Sequence, residues 1–349
     1  MDTFRRARGR ERDVKGILKG LERMGRKSLA SAISGSSYVS GGNPPEEPGS
    51  ILVIRTDSRL GNLVLLEPLL RSLRQRFPRA DLEILTSHTF SSLLSCQGYE
   101  VRGVDKKGQI RDPLRFLDLI RYLRSREYEV AIDAAHPHSF SLSGAVTTLL
   151  SGAGCTISTD AGDSPGWYGH TVPEPPMNWH ESRSLHSLGS LWPKWPEWSP
   201  PALTSPSAVS RDAVGLHVGA SGDKRYPLEK LCSMVDEISR RALMEVYWGS
   251  ADERETAQEL GRRYPVAVMP EMGVEDLLRS LSGLRLFITA DNGPMHVASA
   301  LSVPVLALFR VDNRDRFSPL SSGSVALYHP DGPPADLVAS EALTFLGCY

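Results

Sequence analysis

The stretch FITADNGPMHVASALSVPVLALF, residues 287–309, decides how this chain is read. Its ends, Phe287-Ile288 and Val303–Phe309, are apolar and suit buried strands, yet Asp291, Asn292, Gly293, Pro294 and His296 crowd the junction between them. A strand stopping at Ala290, a tight turn at Gly293 and a proline at the first helical position, where its missing N–H is not needed, predict a strand–turn–helix unit. In an open parallel sheet such a unit puts its loop beyond the C-terminal end of the strand, where ligands bind. The helix N-terminus offers free N–H groups and a partial positive charge to phosphate or sugar oxygens, and Asp291 and His296 would face the same crevice. Taken alone, the motif also fits a plain helix start, with Asp291 or Asn292 as the cap and His296 packed in the first turn.

Two earlier strand ends carry comparable chemistry. In GLHVGASGDKRYP (215–227) a strand ending at Val218 leads into Gly219, Ser221 and Gly222, and then Lys224 stands just before a helix opened by Pro227. Backbone donors in a small-residue loop can wrap an oxyanion and a lysine neutralises it. The spacing is not that of a Walker A loop. In YWGSADER (247–254), Gly249, Ser250 and Glu253 occupy the corresponding place one unit later. An acid there can accept hydrogen bonds from ribose hydroxyls, or serve as a first-turn glutamate favoured by the helix dipole. Three neighbouring polar strand ends favour a nucleotide-sugar site over any one read singly.

The same alternation runs through most of the chain. Strands are predicted at 51–56, 81–86, 101–104 and 129–135, with helices at 63–77 (Pro68 in the first turn) and 113–126. After a break, strands at 213–219, 244–249, 266–270, 284–290 and 303–309 alternate with helices at 227–241, 253–263, 274–281 and 295–301. Strands alternating with helical periodicity predict an α/β protein of two Rossmann-like parallel-sheet domains, 50–205 and 206–349, facing across a cleft. The break at 158–210 holds nine prolines and five of the six tryptophans: Trp167, Trp179, Trp192, Trp195 and Trp198. We expect a rigid loop stapled down by its aromatics rather than a substrate-facing one.

Composition narrows the classes. A length of 349 residues, 40% hydrophobic and 23% charged, suits a soluble globular protein of about two domains. The formal charge of −1 gives no reason to expect a nucleic-acid partner. Cys96, Cys155, Cys232 and Cys348 fit no metal or disulfide spacing, and neither a signal peptide nor a membrane-spanning run is evident, so a cytoplasmic location is expected. Residues 1–28 hold ten Lys or Arg against four acids, with Val14, Ile17, Leu18 and Leu21 at helical spacing. That pattern fits an amphipathic helix lying on an anionic inner-membrane surface, or a solvated tail. A Ser/Gly/Pro linker follows, so residues 1–49 form a tail and linker.

The succession ILVIRTDSRLGNLVLLEPLLRSLRQRFPRADLEILT (51–86), GLHVGASGDKRYPLEK, WGSADERE and DNGPMHVASALSVPVLALF resembles glycosyltransferase family 9, the ADP-heptose:lipopolysaccharide heptosyltransferases. The resemblance spans roughly residues 50–320 in the same order. It implies a GT-B fold and inverting sugar transfer from a nucleotide donor such as ADP-heptose, with no metal and no cofactor. The acceptor would be a glycolipid or glycan, lipopolysaccharide core or a related one. It also implies that Lys224 and Ser221, in the loop of Gly219, hold the donor diphosphate. Glu253, after Gly249, would hold the ribose or base, and Met272 would pack near the adenine. Asp291, Asn292, Gly293 and His296 would bind donor sugar and phosphates.

On the acceptor side the resemblance points to Arg59, Gly61, Asn62, Asp133 and His138. Family members place an aspartate, proposed as the general base, where RLGN puts Asn62, and an amide cannot take a proton at neutral pH. IDAAHPHSF (132–140) likewise departs from the family's continuation after Asp133. Asp57, His136 and His138 are then the local candidates for the base. Alternatively, catalysis rests on stabilising the leaving diphosphate through Lys224 and helix N-termini. Three other readings are a nucleotide-sugar-binding relative with weak or no transfer, a nucleotide-sugar epimerase, and an adaptor acting through its basic tail.

Overall fold

The computed structural model describes residues 44–105, 113–161, 166–205 and 210–347. The expected amphipathic helix in the basic tail, and Cys348, lie outside these residues. Twelve strands form two sheets among them. The first holds β1 (Ser50–Arg55), β2 (Asp81–Ser87), β3 (Glu100–Val104), β4 (Val130–Asp133), β5 (Cys155–Thr159) and β6 (His170–Val172) in the order β3-β2-β1-β4-β5-β6. The second holds β7 (Ala213–His217), β8 (Leu243–Tyr247), β9 (Ala267–Val268), β10 (Leu286–Ala290), β11 (Val305–Phe309) and β12 (Val325–Tyr328) in the order β12-β11-β10-β7-β8-β9. Every pairing is parallel. Both orders are the doubly wound one, with the strand order reversing between β1 and β4 and between β7 and β10, where ligands bind in such sheets. Ile51 faces both Leu82 and Val130 in register, and Ile51, Leu52, Val53 and Ile54 are all fully buried. A central parallel strand covered on both faces calls for such a continuous apolar run.

The halves do more than face one another. The helix Leu60–Arg76 buries Leu63, Leu66, Leu69 and Leu70 in a cluster that also takes in Met295, Val297, Ala298 and Phe287 of the second sheet and its helix. Burying side chains of this size is worth about 1.5–3 kcal/mol each. At the closest approach, a Cβ on Gly61 would lie 2.7 Å from His296 Cδ2 and 3.4 Å from Gly293 Cα, while one on Gly293 would lie 3.2 Å from the Gly61 nitrogen. Gly293 was expected to serve a turn, but its φ is not in the left-handed region. It is glycine because another backbone passes against it.

Several boundaries differ from the periodicity. The helix expected from Leu63 begins at Leu60, because residues 60–70 are all buried and no polar face marks its start. Pro68 therefore lies inside the helix rather than in its first turn, leaving the Val64 carbonyl without its i+4 donor. The helix expected from Met295 spans Gly293–Ala300, so Pro294 is its second residue rather than its first, still within the turn whose N–H groups need no intrahelical partner. The strand expected at 266–270 shrinks to Ala267–Val268, and that at 129–135 to Val130–Asp133. The helix Ala335–Leu346, not foreseen, packs against Leu228–Ser239.

The proline- and tryptophan-rich segment is stapled down by its aromatics as its composition suggested, but it is not all loop: it supplies β6 and the helix Glu181–His186. Trp192 is buried, with its ring 5.2 Å from Phe77 and 6.1 Å from Trp195, and its indole N–H donates to the Pro45 carbonyl at 2.9 Å. Trp167 is buried against Phe140, and Trp179 stacks under Arg183. None of the five rings is fully exposed. The end of the segment then meets the second half, where the Leu203 N–H bonds the Ala300 carbonyl at 2.8 Å.

Candidate active site between the two sheets

The opening stretch forms one corner. Asn292 caps the helix Gly293–Ala300, its Oδ1 accepting from the Met295 N–H at 3.0 Å. Its Nδ2 donates to the Gly219 carbonyl at 2.6 Å and to Thr289 Oγ1 at 2.8 Å. One amide thus caps the helix and ties the β7 loop to the end of β10, so the capping role weighed from sequence is real for Asn292. Asp291 is buried, and its Oδ2 receives both the Lys224 ammonium and Asn313 Nδ2, the latter at 3.0 Å. Lys224 itself, at the end of a short 3₁₀ turn, stays about a third exposed (32%), with Nζ 5.9 Å from the Phe317 ring centre. A cation held at a strand end and still reachable by solvent suits an oxyanion ligand.

His296 is buried beneath this corner, its ring 6.3 Å from that of Phe317. Burial lowers its pKa to about 4; Asp291 and Glu181 oppose the shift, whereas His180 and Lys224 add to it. A neutral imidazole at pH 7 follows. Gly219 has no room for a side chain, since a Cβ would fall 1.9 Å from Glu253 Oε1. Glu253 accepts from the Gly249 N–H at 2.7 Å, and its own N–H is capped by Ser250. The loops of Gly219 and Gly249 therefore meet at Glu253, in the first turn of the helix Ala251–Arg263. Ser221 is exposed beside Lys224. Met272 lines a cavity of about 420 Å³ with Arg211, Glu271, Asp276 and Arg279.

The N-terminal face is organised differently. Asn62 is buried, and its Nδ2 donates to Asp57 Oδ1 at 2.8 Å. The other Asp57 oxygen takes Arg55 Nε at 2.6 Å, and the buried Arg55 reaches the Ala134 carbonyl at 2.6 Å. The Arg59 N–H also bonds Asp57 Oδ1, at 3.2 Å. Both oxygens of Asp57 are engaged. Asp133, expected on the acceptor side, is buried: Tyr168 donates to its Oδ2 at 2.6 Å, the Ala135 N–H to its Oδ1 at 3.1 Å, and Gly144 lies too close for any Cβ. His138 pairs with Glu174 at 3.1 Å, and its Nε2 is buried with no hydrogen-bond partner among the described residues.

His136 has a different setting. Its Nδ1 lies 3.0 Å from Glu181 Oε1, while its side chain stays 40% exposed. Glu181 opens the helix Glu181–His186, is fully buried, and gives its second oxygen to Arg316 Nη2 at 2.7 Å. Burial alone would raise the Glu181 pKa, but hydrogen bonds from His136 and Arg316 overcome it and bring it down to about 2. An ionised carboxylate only accepts, so His136 Nδ1 carries a proton, and in the neutral ring Nε2 is the nitrogen with the lone pair. Next to it, His180 Nε2 bonds the Ser318 carbonyl at 3.1 Å. Reading the sequence missed Glu181, His180, Asn313 and Arg316. Glu181 lies 45 residues from His136 and 135 from Arg316, so no local pattern joins them.

Two doubly wound sheets sharing a corner of loops and a cation define a protein of GT-B architecture. The same fold is seen, with a TM-score of 0.70 and 18% identity, in an Escherichia coli heptosyltransferase solved with ADP, across 85% of this chain and 99% of that one. It recurs, with a TM-score of 0.73 and 16% identity, in a family 9 glycosyl transferase from Veillonella parvula, across 85% and 97%. Residues 194–342 match the family model of glycosyltransferase family 9 (heptosyltransferase). Lipopolysaccharide heptosyltransferase 1 of Escherichia coli (strain K12) is 27% identical over 106 residues, 30% of this chain and 33% of that protein. The chain thus spans about a third of the length of the curated relatives it matches. The likeness to glycosyltransferase family 9 read from the sequence is borne out, by sequence in the C-terminal part and by fold across most of the chain.

Proposed function

We propose that this chain is an inverting, metal-independent glycosyltransferase that moves a heptose from an ADP-linked donor to lipopolysaccharide core or a related surface glycan. The observation that carries this reading is the corner where Lys224, Asp291 and the start of the helix Gly293–Ala300 converge beyond the ends of β7 and β10. A diphosphate seated there meets the Lys224 ammonium in competition with Asp291, and backbone N–H groups of the helix start. Both stabilise the charge that develops as the sugar–phosphate bond breaks, so the leaving group is favoured in the transition state more than in the ground state. Glu253 beside Gly219 holds the ribose or base side of the nucleotide, and His296 packs as a neutral ring beneath the sugar corner. The E. coli structure solved with ADP supports ADP as the nucleotide.

The acceptor enters from the face of Asp57, Asn62 and His136. Among the described residues no helix is long and apolar enough to cross a membrane. The protein works in the cytoplasm, and the basic residues 1–28 hold it against the inner leaflet where a glycolipid acceptor resides. The test is release of ADP from ADP-heptose on adding heptose-free lipopolysaccharide core. Turnover that depends on both substrates is expected. Tight donor binding without turnover on any nucleotide sugar would overturn transfer in favour of a binding-only relative, a second reading favoured by one observation: the amide of Asn62 at the place of the family's aspartate. Deletion of residues 1–45 should leave turnover on a soluble acceptor intact.

A further inference from the structure

We propose that His136 is the general base that takes the acceptor's hydroxyl proton, and that Glu181 is the residue that positions it. This rests on the transfer reading above. A neutral imidazole acts as a base only if one nitrogen is free and the ring is held, and here the two conditions are met by one contact. Glu181 Oε1 accepts a hydrogen bond from Nδ1–H at 3.0 Å, so in the neutral ring Nε2 is the nitrogen with the lone pair, on a side chain still 40% exposed just beyond β4. The other candidates are less well set for the task. Asp57, though 34% exposed, already accepts hydrogen bonds from Arg55, Asn62 and Arg59, and the Nε2 of His138 is buried.

His136 also lies on the route to the donor corner. Arg316 joins Glu181 from the second half at 2.7 Å, and its guanidinium carbon sits 5.1 Å from the centre of the Phe317 ring, against which Lys224 Nζ stands at 5.9 Å. The base on one half is therefore oriented by a carboxylate whose second oxygen is bound by the other half. In the step itself, the acceptor hydroxyl gives its proton to His136 Nε2 as its oxygen forms a bond to the anomeric carbon. The bond from that carbon to the phosphate oxygen breaks, and the nucleoside diphosphate leaves with the electron pair. The proton then passes from Nε2 to water.

The experiment measures ADP release from ADP-heptose with heptose-free lipopolysaccharide core, using the full chain. His136→Ala should lower kcat by about 10²–10⁴-fold, the usual contribution of a positioned base, with little change in donor KM. Added imidazole should restore part of that rate, which no structural defect would allow. Glu181→Gln should lower kcat by up to about 10²-fold, a loss on the scale of misplacing a held group. In ¹⁵N spectra of histidine-labelled protein, it should also remove an Nδ1–H tautomer present in the wild type. The spectrum reads the pairing even where the variant is less stable. Wild-type turnover with His136→Ala at full rate would overturn the base assignment alone. So would loss of rate in His136→Ala that imidazole does not relieve, or a wild-type spectrum with the proton on Nε2. Absence of wild-type turnover would overturn the transfer reading together with it.

Discussion

The two faces of the cleft solve different problems with similar residues. On the β7–β10 side, a carboxylate and an ammonium pair across strand ends, and an asparagine locks the loops together, leaving a cation at the surface. On the β1–β4 side, a carboxylate is enclosed by donors from Arg55, Asn62 and Arg59. The first arrangement can exchange a protein anion for a ligand anion. The second already accepts three hydrogen bonds from its own chain, although its carboxylate stays 34% exposed. A site that looks symmetrical in strand order is thus asymmetric in chemistry, and the chemistry missing at Asn62 has an outlet at His136.

The strongest way to break this comparison is Lys224→Ala. Removing one preorganised charge from a leaving group costs on the order of 10²–10³-fold in kcat, so the rate of ADP release should fall by about that much. A rate unchanged from wild type would mean the corner does not face the diphosphate.

Asn62→Asp probes the other face. The new carboxylate would stand where Nδ2 now donates to Asp57 at 2.8 Å, and two carboxylates at that distance cannot both ionise. One is held protonated in the folded protein, its pKa raised, so stability is present at low pH and lost as pH rises through the raised value. The variant should melt below wild type at pH 7, with the gap in Tm closing by pH 4, and its transfer rate should not exceed that of wild type. A faster variant of unchanged Tm would show that Asp57 and Asn62 separate in solution.

Gly61→Ala tests the seam between the faces. Its methyl would lie 2.7 Å from His296 Cδ2, and overpacking of this kind costs about 1–3 kcal/mol, readable by urea unfolding. The smallest effect comes from His296. Its folded pKa is depressed from 6.5 to about 4, so its contribution to stability is complete above 6.5 and is lost as pH falls toward 4. In His296→Gln the decline in Tm across that window should be shallower than in wild type.

Much of this was legible in the sequence because it is local. Strand ends followed by Gly219, Gly249 and Gly293 announced a doubly wound sheet, and the polar residues beside them marked its ligand-binding edge. The start of the helix Leu60–Arg76 was not legible, because a helix buried on all sides loses the period that would reveal it. The reason for glycine at 61 and 293 was hidden for another cause: each answers to a backbone more than 200 positions away in the chain (Gly61 against Gly293). Asp133 shows the converse error. A carboxylate at a strand end reads as functional, yet here Tyr168 and the Ala135 N–H engage it in the interior.

The touching glycines have an electrostatic consequence. They stand in the first turns of two helices, Leu60–Arg76 and Gly293–Ala300, so both helices direct their N-terminal ends to one place, and the first has no side-chain cap. Each end carries roughly half a positive charge. A chain whose formal charge is −1 therefore holds a local positive potential at the seam of its two halves, partly offset by Asp57 and Asp291 just outside the helices. Attraction of an anionic ligand into the cleft is thus a property of the seam, separate from the basic residues 1–28. It acts over a screening distance of about 8 Å at physiological ionic strength, so added salt should slow capture of a charged ligand more than it loosens one already seated.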